Sequence, residues 1–185
     1  MATQPEVWLR GPIDRVPPLL QPVAHSVLQC REEIRVALPG LTEEQLWRRP
    51  GGAAAIAYHA RHAAGSLDRL FTYARGDSLT PAQLATLAAE GRAEEGPRTA
   101  DELLAAFGAA VDGALAQLHA TDETRLLDPR GVGRARLPST VIGLLFHAAE
   151  HTQRHVGQLV TTAKIVREAS VTAGSEARRP LDSDA

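Results

Sequence analysis

The sequence predicts an all-α protein: a four-helix bundle with two short extra helices and a long connection before the last helix. Three observations predict it. Apolar residues recur at three- and four-residue steps in four separate stretches. Thr42 with Gln45, Thr80 with Gln83 and Thr99 with Glu102 each have the spacing of a capping box, a helix-start signal. No stretch combines strand alternation with a hairpin signal. Helices packed on one core are then the architecture open to the chain.

Residues 1–16 read as an irregular segment, broken by Pro5, Gly11 and Pro12. Pro17, Pro18 and Pro22 are tolerated before or within a first helical turn and not deep inside a helix. The first long helix therefore starts at 18 or 22 and runs to 38, where Pro39-Gly40 ends it. A short helix follows from Thr42, and "RPGG" at 49–52 breaks the chain again. Residues 53–75 form the second long helix, with Ile56, His59, Ala63, Leu67, Leu70 and Phe71 along its stripe. "GDS" at 76–78 stops it. Thr80-Pro81 opens another short helix that ends near Gly91.

Thr99 caps the third long helix, 100–119, whose stripe is Leu103, Leu104, Phe107, Val111, Leu115 and Leu118. Residues 121–139 are a long polar connection. Ser139 or Thr140 caps the last long helix, 140–167. The bundle thus spans 17–168, and 169–185, poor in apolar residues, is expected to be a flexible tail.

Composition narrows the function classes. A chain of 185 residues suits one domain, and its 44% hydrophobic content supports a core. A net charge of −2 carries no electrostatic footprint for nucleic acid. Cys30 is the single cysteine, so no intrachain disulfide forms. Set in a helix near Val27 and Ile34, it reads as a buried filler. The N-terminal stretch is too polar for a signal peptide, and no apolar run reads as long enough to span a bilayer. No membrane partner and a cytoplasmic location are the expectation.

The histidines carry the chemistry. Five of the seven fall in "AYHARHAAG" (His59, His62) and "HAAEHTQRH" (His147, His151, His155). Residues four apart on a helix share a face, so His147 with His151, or His151 with His155, can chelate one ion. All three cannot, because His147 and His155 stand about 12 Å apart along the axis. A third ligand has to come from another helix, and the 59–62 stretch is the source at hand. His59 fits the apolar stripe of its helix at least as well as His62. Three imidazoles leave positions open for water or substrate, as at catalytic metal centres. His25 and His119 read as surface residues.

"HTQRHVGQL", 151–159, resembles the last-helix signature of the DinB-like four-helix-bundle family, an H-x3-H pair followed closely by G-Q. "AIAYHARHAAGSLDRLFTYARG", 55–76, is similar to that family's second helix. The resemblance covers roughly 17–168. It implies a metal triad of His62, His151 and His155, leaving His59 and His147 about one turn outside as pocket residues or hydrogen-bond partners. Glu150 and Gln158 are other partners in reach. It also implies a homodimer, which the Ala/Gly-rich helix faces permit.

The function the resemblance implies is a divalent-metal-dependent thiol transferase or a thiol-dependent isomerase. Zinc or nickel is the expected ion, and a low-molecular-weight thiol and a small electrophile are the partners. One alternative is a metal-dependent hydrolase with Glu150 as base, although Glu150 points some 100° away from His151 around the helix. Another is a non-enzymatic metal-binding bundle whose role is stress-related or structural. Arg61, Arg69, Arg130, Arg134 and Arg154 are cations for a substrate carboxylate or, more commonly, for surface pairs. Three imidazoles of ordinary pKa would release the ion below about pH 6.5.

Overall fold

The structure, a computed structural model, describes residues 4–176. Its helices are α1 (Gln21–Ala37), α2 (Glu43–Trp47), α3 (Ile56–Arg75), α4 (Pro81–Ala89), α5 (Ala100–Ala120) and α6 (Val141–Glu176). The long elements α1, α3, α5 and α6 form the bundle, so the all-α class is as the sequence predicts. α3 lies against α6 on one side and α5 on the other, and α1 closes the bundle against α6 and α5.

Local chemistry sets the boundaries. Thr42, Thr80 and Thr99 each close a full capping box on Gln45, Gln83 and Glu102. At its C-terminus α3 ends on Gly76 at φ +92, a left-handed cap that favours glycine. Thr140 accepts from the Gly143 N–H at 3.1 Å, as expected of an N-cap.

The core is one continuous cluster of aliphatic residues with Phe71, Phe107 and Cys30. Leu67, Leu118, Leu145 and Leu159 are fully buried, each contributing about 2 kcal/mol by removal from water. Alanines at 60, 63, 148 and 149 are also buried, on the two helices that carry the histidine clusters.

Four features depart from the expectation. The connection before α6 is not structureless: β1 (Pro129–Val132) and β2 (Leu137–Thr140) pair antiparallel, Pro129 opposite Thr140 and Val132 opposite Leu137. Gly133 and Arg136, both at positive φ, make the turn. Arg130 donates to the Ala74 carbonyl and ties the hairpin to the end of α3. The last helix runs on to Glu176, past the expected end at 167. The expected flexible tail, 169–185, is therefore helical over 169–176, and 177–185 lie outside the described residues. Further, α5 is long and apolar enough by composition to cross a bilayer, contrary to the sequence reading. In the fold, Leu103, Phe107, Val111, Ala114 and Leu118 turn its apolar stripe into the bundle core. In the segment expected to be irregular, a 3-10 turn at Val7–Arg10 buries Val7.

Candidate metal centre

α3 and α6 bring the two histidine clusters together. His62, His151 and His155 each offer one ring nitrogen, and all three atoms lie within 4.8 Å of one another. Ring centroids stand 4.5 Å apart for His62 and His155, and 4.6 Å apart for His151 and His155. His62 Nε2 and His151 Nε2 are 3.0 Å apart. Two nitrogens on a tetrahedral ion with bonds of about 2.0–2.1 Å stand about 3.3 Å apart.

Each ring is held differently. The Glu90 carboxylate accepts from His62 Nδ1 at 2.7 Å, which leaves the lone pair of His62 on Nε2. Tyr58 stacks on the same ring, 5.5 Å between centroids and 11° between planes. His155 Nδ1 lies 3.0 Å from His59 Nδ1. With the proton on His155 Nδ1, donated to His59, the lone pair of His155 is also free on Nε2. His151 Nδ1 is buried with no hydrogen-bond partner among the described residues. The Nε2 lone pair that Glu90 imposes on His62 therefore points at a second imidazole nitrogen. A proton or a cation has to sit between them, and three neutral nitrogens fit a divalent ion.

Glu90 is the residue that sequence reasoning missed. It follows α4, is 3% exposed, and also accepts from Arg69 Nη1 at 2.6 Å. Arg69, a candidate for a substrate carboxylate, is thus engaged with a carboxylate of its own chain. Gly65 makes room for the pair: a Cβ there would stand 2.4 Å from Glu90 Oε1 and 2.6 Å from Arg69 Nη1. No spacing signal links Glu90 to His62, 28 residues earlier.

His59 is 6% exposed and takes the expected role of partner to another histidine. His147 does not: it is half exposed and pairs with Glu150 at 2.9 Å. Glu150 is further held by Arg154 at 2.7 Å, so the hydrolase base is committed elsewhere. Gln158 lines a cleft of about 630 Å³ beside His59, with Arg154 and Thr161. The Cys30 thiol contacts Gln153 Oε1 at 3.1 Å, and burial pushes it up to about 12, so it is an inert filler.

The DinB superfamily sequence profile matches residues 26–159, which include both histidine clusters. The chain belongs to the DinB superfamily. A crystal structure of a conserved protein from Enterococcus faecalis superposes on this DinB chain with a TM-score of 0.60. It covers 81% of this chain and 98% of the other at 19% identity, a likeness of fold alone. No curated protein matches the chain.

The electrostatics move the pH expectation. Burial first, and then His62, His151 and His59 around it, lower His155 to about 4. Burial and the neighbouring His62 lower His59 and His151 as well. His151 and His155 then stay neutral below pH 6.5. Apparent metal affinity should fall by less than the three decades per pH unit that three imidazoles of ordinary pKa would give. Without metal the sign is also fixed. A lowered folded pKa means that the unfolded chain binds more protons between about 6.5 and 4, so stability is lost as pH falls through that window. Melting temperature in chelator should drop by about 5 °C from pH 7 to pH 4.5 from these histidines, less in a His155→Ala variant.

Proposed function

We propose that the chain is a divalent-metal-dependent thiol transferase, or a thiol-dependent isomerase, in which His62, His151 and His155 hold a zinc or nickel ion. The observation that carries the reading is the convergence of the three histidine nitrogens, with the tautomer of His62 set by a buried carboxylate. Imidazole donors suit both ions. Bound by three neutral ligands, the ion keeps its full charge and favours the thiolate form of a thiol near neutral pH.

The chain's own residues do the rest. Glu90, clamped by Arg69, keeps the Nδ1 proton on His62. Lowered pKa values keep His59, His151 and His155 uncharged at neutral pH. The cleft beside His59 offers Gln158 and Thr161 to the polar groups of a low-molecular-weight thiol, and Arg154, on the same wall, is held by Glu150. In a transfer, the S–H proton leaves to solvent and the sulfur lone pair forms an S–C bond. The leaving group of the small electrophile departs with the electrons of the broken bond. In an isomerisation, the thiol adds to a conjugated double bond and is expelled after rotation, so it is regenerated.

The test is turnover of a chlorodinitrobenzene with a low-molecular-weight thiol, with zinc or nickel and with chelator. Dependence on both thiol and metal, lost in His151→Ala, supports the proposal. Ester turnover without thiol supports a hydrolase instead. A loaded protein that turns over neither supports a metal-binding bundle without activity.

We also propose a two-fold homodimer built on helices, an isologous contact. Phe146 supports it: the side chain is 63% exposed at the rim of a groove between α1 and α6. Light scattering should give twice the 19.8 kDa chain mass, and Phe146→Glu should halve it. A monomeric mass across micromolar to millimolar protein rejects the dimer.

A further inference from the structure

A second cavity, of about 650 Å³, lies between α3, α4 and α5, and none of the histidines lines it. Its size falls within the range of small-molecule sites, about 300–1,000 Å³. Small residues make the space: Ala64 from α3, Ala85 and Ala89 from α4, Ala110 and Gly113 from α5. The roof helix α4 buries none of its residues in the bundle. Its leucines, Leu84 and Leu87, are 46% and 42% exposed, while alanines line the cavity. Polar ties hold it instead. Gln83 Nε2 donates to Asp68 at 2.7 Å, and Arg61 donates to the carbonyls of Ala89 and Arg92, both at 2.8 Å.

Two of the four charged residues that line this cavity are in ion pairs, Arg75 with Asp77 and Glu95 with Arg92, and Asp68 accepts a hydrogen bond from the neutral Gln83. Arg61 is 7% exposed, and among the described residues no carboxylate lies within ion-pair distance of it. Its guanidinium donates to two backbone carbonyls and lies 5.4 Å from the Trp47 ring, and Glu90 and Glu95 act on it only from beyond ion-pair distance. A buried cation ordinarily has a counter-charge, as Arg69 has in Glu90.

We propose that this cavity binds a small organic monocarboxylate, its carboxylate on Arg61 and its apolar body against the alanine and glycine walls. The site stands apart from the metal centre, so the proposal does not depend on the thiol reading.

Calorimetric titration of the metal-free full chain with octanoate and with octanol tests it. Octanoate should bind about tenfold or more tightly than octanol, the size expected for a hydrogen-bonded charge. Gly113→Phe should weaken octanoate about tenfold. A Cβ at Gly113 meets nothing within 4 Å, so the backbone there admits a side chain, which adds bulk at the cavity wall. Ala110→Phe, one turn earlier, is the second blocking variant, and circular dichroism confirms that both fold. No octanoate binding, equal binding of octanol, or octanoate affinity unchanged in both folded variants overturns the proposal.

Discussion

His155→Ala is expected to strip the protein of its divalent ion. Four-ligand structural zinc sites bind with about 10–16 kcal/mol, so one ligand of such a set is worth about 2.5–4 kcal/mol. Loss of one from three should weaken binding by two to three decades. At neutral pH the wild type should carry about one ion per chain by elemental analysis, and the variant close to none. Melting temperature gives a second readout. Metal at 100 times its Kd adds about 2.7 kcal/mol to stability, or about 5–10 °C for a chain of this size. That rise should vanish in the variant. The metal-free variant should fold, because its core is a continuous aliphatic cluster that uses no ligand. His147→Ala is the control and should keep the ion, since His147 pairs with Glu150 at the surface. Equal metal content in His155→Ala would move the ion elsewhere, and the thiol chemistry with it.

The parts of the fold legible in the sequence were those with a local signature. Three capping boxes appear where the Thr-x-x-Gln/Glu spacing put them, because an N-cap satisfies its own orphan donors within four residues. The stripes of α3 and α5 were legible because burial follows helical period. The β-hairpin was not. Its strands are four residues each and contain Pro129, Gly131 and Pro138, residues that count against strands. It forms at the end of α3, where Arg130 anchors it to Ala74, a contact between residues 56 apart. The sequence shows no apolar stripe after 167 to mark the rest of the last helix, yet a helix already begun extends at low cost.

The histidine triad was partly legible. Four-residue spacing put His151 and His155 on one face, but periodicity alone left His59 and His62 as equals. The structure separates them: His62 faces His151, and His59 stands behind His155. The carboxylate that fixes His62 was not legible at all. Glu90 comes from the end of a short helix that reads in sequence only as a boundary near Gly91. Its position follows from the docking of α4 beside α3, which no spacing encodes.

Glu90→Leu should therefore do two separable kinds of damage. Arg69 would be left buried without its counter-charge, and breaking such a pair from one side costs about 3–5 kcal/mol. Melting temperature should fall by about 10 °C. His62 would also lose the acceptor that keeps its proton on Nδ1, which should cost about 10–100-fold in metal affinity. The double variant Glu90→Leu with Arg69→Leu distinguishes the two. Replacing a whole buried ion pair with apolar side chains is often neutral or stabilising, so the double variant should regain most of the lost melting temperature. It should not regain the metal affinity, because nothing in it sets the tautomer of His62. If affinity and stability returned together, Glu90 would matter only as the partner of Arg69. If the single variant kept wild-type affinity, His62 would need no carboxylate to present Nε2, and the ordering of the site would rest on the stacking of Tyr58 alone.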